Sequence, residues 1–185
     1  MIAESVFIPL EYQSYRLPRP PGIHISDCLD WLQKRGVFRS DPTEYGSVWE
    51  YTAPMGFAWE DLFILSLKSQ KEGVVSGQHY VVEDVIFTPD AYDPTEKIIY
   101  ETKTKWASSK RFKSLENWRW LAQIKSYCYG LGCNQAILAV MFLNGDGAPP
   151  APQPEYTKII FENEELVANW RLILRARNAL LSGVA

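Results

Sequence analysis

The stretch "IIYETKTKW", residues 98–106, is an apolar strand-like run that ends in Glu, Thr and Lys. Side chains alternate along a strand, so Glu101 and Lys103 point to the same face. A carboxylate beside an ammonium at the end of a buried-looking strand has two readings. One is an ion pair. The other is a metal site with a positioned lysine. The neighbouring sequence bears on the choice.

Upstream, "GQHYVVEDVIF" (77–87) is β-branched and aromatic and reads as one strand. "TPDAYDPTEK" (88–97) is turn chemistry, with two Pro and two Asp. The two strands then form an antiparallel hairpin. With a loop over about 89–97, Asp84 falls opposite Glu101. Paired carboxylates repel unless a cation lies between them, and hard oxygen ligands suit Mg²⁺ or Mn²⁺. Lys103 on that face could orient or help deprotonate a water on the metal, or offset the charge of a phosphate. Pro89-Asp90 is the rival partner. It lies closer to Glu101 but in turn sequence, and would force a tighter hairpin, so Asp84 is favoured.

Working outward, "ISDCLDWLQKRG" carries helix start and stop signals and predicts a short helix over 27–35. "PMGFAWEDLFILSLKSQK" predicts a helix over 54–71 with Pro54 at its first position. Glu60 lies on its apolar side and needs a partner there. A helix over 115–131 places Gln123 and Tyr127 on one face, with Glu116 and Trp120. "NQAILAVMFLNG" (134–145) and "YTKIIF" read as strands, 146–155 as a Pro-rich loop, and the segment from Glu162 as a last helix. The alternation predicts one α/β or α+β domain over 1–185, a mixed sheet flanked by helices.

Composition narrows the function. The chain has 185 residues, 46% hydrophobic and 22% charged, as a globular domain has. The longest apolar run, Ala136–Leu143, is eight residues, too short to cross a bilayer. No secretory signal is visible at the start, and Cys28, Cys128 and Cys133 include no CxxC pair, so free thiols in a reducing cytoplasm are expected. The net charge is −3, yet the Lys97–Lys125 window holds eight Lys or Arg against Glu101 and Glu116. Such a one-sided excess, interleaved with aromatic residues, fits a phosphate-binding strip as well as a solvated face.

Four motifs in order resemble the PD-(D/E)XK nuclease superfamily, in particular its RecB-like and lambda-exonuclease-like branch. "GFAWE" gives Glu60, "VVEDVIF" Asp84, "YETK" Glu101 and Lys103, and "QIKSY" Gln123 and Tyr127, all within 68 residues. The resemblance covers about 23–180. It implies a restriction-endonuclease-like core and a metal-dependent nuclease, an exonuclease or structure-dependent enzyme of recombination or repair; a phage origin is compatible with it. By that resemblance Asp84 and Glu101 ligate Mg²⁺ or Mn²⁺, with the Thr102 carbonyl as a third ligand and Glu60 binding or tuning one or two ions. Gln123 and Tyr127 support the site. Lys105, Lys110, Arg111, Lys113, Arg119, Trp120 and Tyr127 would contact DNA, with RNA as an alternative substrate. Relatives with an iron–sulfur cluster carry four Cys, which this chain lacks, so no cluster is expected. Many relatives also have a His where Glu60 stands. His79 reads as structural or as a phosphate contact. The rival functions are a restriction-type endonuclease and a degenerate module that only binds nucleic acid. A homo-oligomer or a recombination-protein partner is compatible with the reading; a membrane partner is not.

Overall fold

The computed structural model describes residues 18–37, 49–144 and 151–183. The chain runs β1 (Ile23–His24), α1 (Ile25–Lys34), α2 (Trp49–Gln70), β2 (Val75–Ser76), β3 (Tyr80–Val82), β4 (Val85–Phe87), β5 (Ala91–Asp93) and β6 (Ile98–Lys105). A 3-10 turn at Ser114–Glu116 then leads into α3 (Trp118–Leu131), β7 (Gln135–Phe142), β8 (Gln153–Ile160) and α4 (Asn163–Leu181). The five-residue-longer start of α2 puts Pro54 inside the helix rather than at its first position. Of the expected Pro-rich loop over 146–155, residues 146–150 lie outside the described residues, and 153–155 are not loop but the start of β8, paired with β7.

Two mixed sheets form an α+β fold. The larger has the order β2-β5-β6-β7-β8 and the smaller β1-β4-β3. β6 is central: it runs antiparallel to β5 and parallel to β7. Its side chains divide by alternation. Ile99 joins a core with Leu29 and Leu32 of α1, Ile124 and Cys128 of α3, and Trp170 and Ile173 of α4. Ile98 and Tyr100 join a second cluster with Phe63, Ile64 and Leu67 of α2. The sheet is thus sandwiched, with α2 on one face and α1, α3 and α4 on the other. Trp59 Nε1 of α2 donates to the Ala139 carbonyl of β7 at 3.3 Å and fixes α2 over the sheet.

The upstream hairpin differs from the sequence expectation. Residues 77–87 are not one strand. Glu83 and Asp84 both take positive φ, 48° and 58°, and fold β3 back on β4 with Val82 against Val85. Two consecutive left-handed residues make the tight turn that matches strand twist. The strand that pairs with β6 begins only at Ala91, which faces Tyr100. Continuing that register by one residue brings Asp90, not Asp84, across from Glu101. The expected pairing of Asp84 with Glu101 is therefore corrected by six residues. The real reversal lies at 94–97, closed by Lys97 at φ 55°.

Candidate active site

β5 ends its ladder with β6 at Tyr100, and the polar residues of β6 begin at the next position. Glu101 is 0% exposed and Thr102 is buried. Asp90 supplies what a longer β5 would have supplied. Its Oδ2 accepts both the backbone N–H and the hydroxyl of Thr102, each at 2.7 Å. That pair of bonds locks the Asp90 carboxylate beside β6.

The Glu101 carboxylate is divided in its contacts. Oε1 accepts a hydrogen bond from Lys103 Nζ, so the ion pair read from the sequence is present. Oε2 is buried with no hydrogen-bond partner. Burial first, and the nearby Asp90 carboxylate second, push the Glu101 pKa up to about 8 against the pull of Lys103. Burial alone would lower the Lys103 pKa, but Glu101 and Asp90 outweigh it and raise it, so the ammonium stays charged.

These groups floor a cavity of about 860 Å³. Gly56, Phe57 and Glu60 of α2 form one wall, and Asp30, Gln33 and Lys34 of α1 another. Arg119, Trp120 and Gln123 of α3 complete it. Gln123 Nε2 donates to the Tyr127 hydroxyl at 2.6 Å, the i,i+4 contact expected of that helix face. Tyr127 is buried and stacked on Phe87, and burial together with Glu101 raises its phenol pKa well above the ordinary value. Arg119 is held by Asp30 and Gln33 at 2.6 and 3.1 Å, which ties α3 to α1 at the cavity wall.

Of the residues singled out from sequence, Glu60, Glu101, Thr102, Lys103, Arg119, Trp120 and Gln123 line this cavity. Asp84 does not. Its side chain is 84% exposed in the β3–β4 turn and pairs with Arg177 of α4 at 3.4 Å. Asp90, the disfavoured rival, takes its place; the signal was the literal Pro-Asp dipeptide. The wall from α1 had no sequence signal of its own. The basic window also divides. Lys110, Arg111 and Lys113 are exposed in the segment between β6 and α3. Lys105 lies over the Phe112 ring at 4.4 Å. Lys125 pairs with Glu165 of α4, and Lys97 borders a different cavity. His79 bonds Thr88, a cavity residue, at 2.6 Å.

The donor set fits a hard divalent cation. Among the described residues, no three His, Cys, Asp or Glu side chains form a ready-made metal cage. Mg²⁺, however, is commonly held by one or two carboxylates with waters and substrate phosphate completing the shell. Asp90 and Glu101 provide that pair, and the partnerless Oε2 of Glu101 is the atom a cation would satisfy.

No family model matches the sequence, and no curated protein matches it. Solved structures do match. One is a phage-related exonuclease from Haemophilus somnus 129PT, with a TM-score of 0.53 and 16% identity over 86% of this chain and 82% of that one. Another is the protein SSO0001, with a TM-score of 0.50 and 14% identity over 89% of this chain and 80% of that one. The chain shares the fold of these proteins, a nuclease-like fold in the first case. Among the described residues no helix is long and apolar enough to cross a membrane.

Proposed function

We propose that the chain is a divalent-cation-dependent nuclease that hydrolyses DNA phosphodiester bonds in the cavity at the end of β6. The observation that carries this reading is the convergence of Asp90, Glu101 and Lys103, with one buried carboxylate oxygen left without a partner. The fold shared with a phage-related exonuclease supports it.

Asp90 and Glu101 would hold Mg²⁺ or Mn²⁺, with the Thr102 carbonyl and Glu60 as further ligands. Bound there, the ion would supply Lewis-acid chemistry, acidifying a water and offsetting charge that develops on the phosphate. Lys103 keeps its positive charge and pairs with a phosphate oxygen. Gln123 presents its amide to the cavity and holds the Tyr127 phenol in place. Lys110, Arg111 and Lys113 receive the nucleic-acid backbone. An exonuclease or structure-dependent enzyme of recombination or repair is the form of the activity favoured here.

The test uses end-labelled single- and double-stranded DNA with Mg²⁺, with Mn²⁺ and with chelator. Cleavage is expected with either ion and none with chelator. Undiminished cleavage in excess chelator would falsify the reading.

A further inference from the structure

A second cavity, of about 470 Å³, opens at the C-terminal end of α3. Cys128, Cys133 and Lys97 line it. The helix ends there in a specific way. Gly132 adopts the left-handed conformation at φ 62°. The Cys133 N–H donates to the Cys128 carbonyl at 3.0 Å, and the Gly132 N–H to the Tyr129 carbonyl at 3.2 Å. This pair of bonds is the Schellman motif, which brings the side chains flanking it into contact. Such a contact is ordinarily made by two apolar residues. Here it is made by two cysteines.

We propose that Cys128 and Cys133 are a modification site: a dithiol that hydroperoxides oxidise to a reversible disulfide across the cap of α3. The two cap bonds set the side chains of Cys128 and Cys133 on the same side of the helix end, and both line the one cavity. The two thiols are not equivalent. The hydrogen bond from Cys128 chiefly, and backbone N–H groups with Lys97 as well, lower the Cys133 pKa against burial. Cys128 keeps its proton: its bond to Cys133 and then its burial raise its pKa, and its Sγ also lies 3.8 Å from the Gln135 carbonyl oxygen. Cys133 is also the more accessible of the two, at 8% exposed against 0%, so it is the attacking thiol and Cys128 resolves. Cys28 serves as an internal contrast. It belongs to the core on α1 and does not line this cavity, and burial pushes its thiol up to about 12.

The chemistry balances with a hydroperoxide as oxidant. The Cys133 thiolate attacks a peroxide oxygen, the O–O bond breaks, and the departing oxygen takes a proton to leave as water or alcohol. The sulfenic acid so formed is attacked by the Cys128 sulfur as it gives up its proton. The S–OH bond breaks, water leaves, and the S–S bond forms. Two thiols lose two electrons and the peroxide gains them. Tyr127 directly precedes Cys128, so the bond would clamp the helix end that bears one wall of the large cavity.

The test is thiol mapping of the full chain after hydrogen peroxide treatment. Trypsin releases Cys128 and Cys133 in one fragment, Ser126–Lys158, separate from Cys28. The expected result is loss of two hydrogens from that fragment, with both its cysteines refractory to alkylation and restored by dithiothreitol. Cys28 should remain alkylatable. In Cys128→Ser, the reaction should stop at a sulfenic acid on Cys133 that dimedone traps. The wild-type map needs no variant to fold. Full alkylation of both cysteines after peroxide, or oxidation equal at Cys28, would overturn the proposal, as would a disulfide found only between two chains.

Discussion

Glu101 is a carboxylate buried in the middle of a sheet, and its surroundings set measurable consequences. Its pKa rises from an ordinary 4.5 to about 8, so the folded chain holds a proton that the unfolded chain has released between those values. Without divalent cation, stability should therefore fall as pH rises from about 4.5 through about 8. Asp90→Asn removes the nearest like charge while its carbonyl oxygen still accepts from Thr102. Melting curves in chelator should show a shallower pH dependence in this variant, with an apo melting temperature near pH 8 that holds or rises. Added Mn²⁺ should stabilise the wild type and leave Asp90→Asn nearly unmoved. An unchanged pH slope in Asp90→Asn would mean the two carboxylates do not feel each other. At this scale the sequence was legible where spacing alone decides: Glu101 with Lys103, and Gln123 with Tyr127, meet as strand and helix periodicity require. It was misweighed at Asp90, read there only as the rival partner, because a carboxylate held in place by Thr102 looks, in the sequence, like an ordinary turn residue.

The element that misled is the β3–β4 hairpin. "YVVEDVIF" has the composition of one strand, yet Glu83 and Asp84 bend it. Side-chain composition reports burial, whereas the turn is fixed from afar. Trp170 Nε1 of α4 donates to Glu83 Oε1 at 2.9 Å, and Arg177 donates to the Glu83 carbonyl at 2.7 Å. No local signal announces contacts with a helix some ninety residues away. The turn predicts its own mutational response. Asp84→Val places a β-branched residue at φ 58° and should destabilise by about 1 kcal/mol. Cleavage should stay near wild type, since the side chain points into solvent. Chemical denaturation and a turnover assay check both halves, and lost activity in a folded Asp84→Val would return that residue to the site. In α3, Gly130 marks a close approach: a Cβ there would lie 2.3 Å from the Phe87 ring. Phe87 stacks on Tyr127, whose hydroxyl holds Gln123. Gly130→Ala should therefore cost about 1–3 kcal/mol and lower kcat as well, because the ring it displaces supports the cavity wall. Loss of stability with kcat unchanged would uncouple that ring from the site.

For the molecule as a whole, the order of helices and strands was readable from periodicity and from Gly and Pro punctuation, apart from the split of 77–87, the start of β8 inside the expected Pro-rich loop, and the added strands β1, β2 and β5. Those three are two or three residues long, too short to carry a period. Charge behaves likewise. A net charge of −3 conceals a cluster at Lys110, Arg111 and Lys113, exposed between β6 and α3. If these residues receive the DNA backbone, binding in Ca²⁺ should weaken with salt. Reversing all three to Glu should flatten the salt slope by about one unit per lost contact. A filter-binding salt series measures this, and an unchanged slope would place the DNA on another surface. The central claim is that Asp90 and Glu101 form a cation-dependent phosphodiesterase site. The most direct measurement is the rate of cleavage of end-labelled DNA in Mn²⁺ by wild type, Asp90→Asn and Asp84→Asn, each shown to be folded. The account predicts loss of turnover by about two orders of magnitude or more in Asp90→Asn and near-wild-type turnover in Asp84→Asn. Full activity in Asp90→Asn would contradict it.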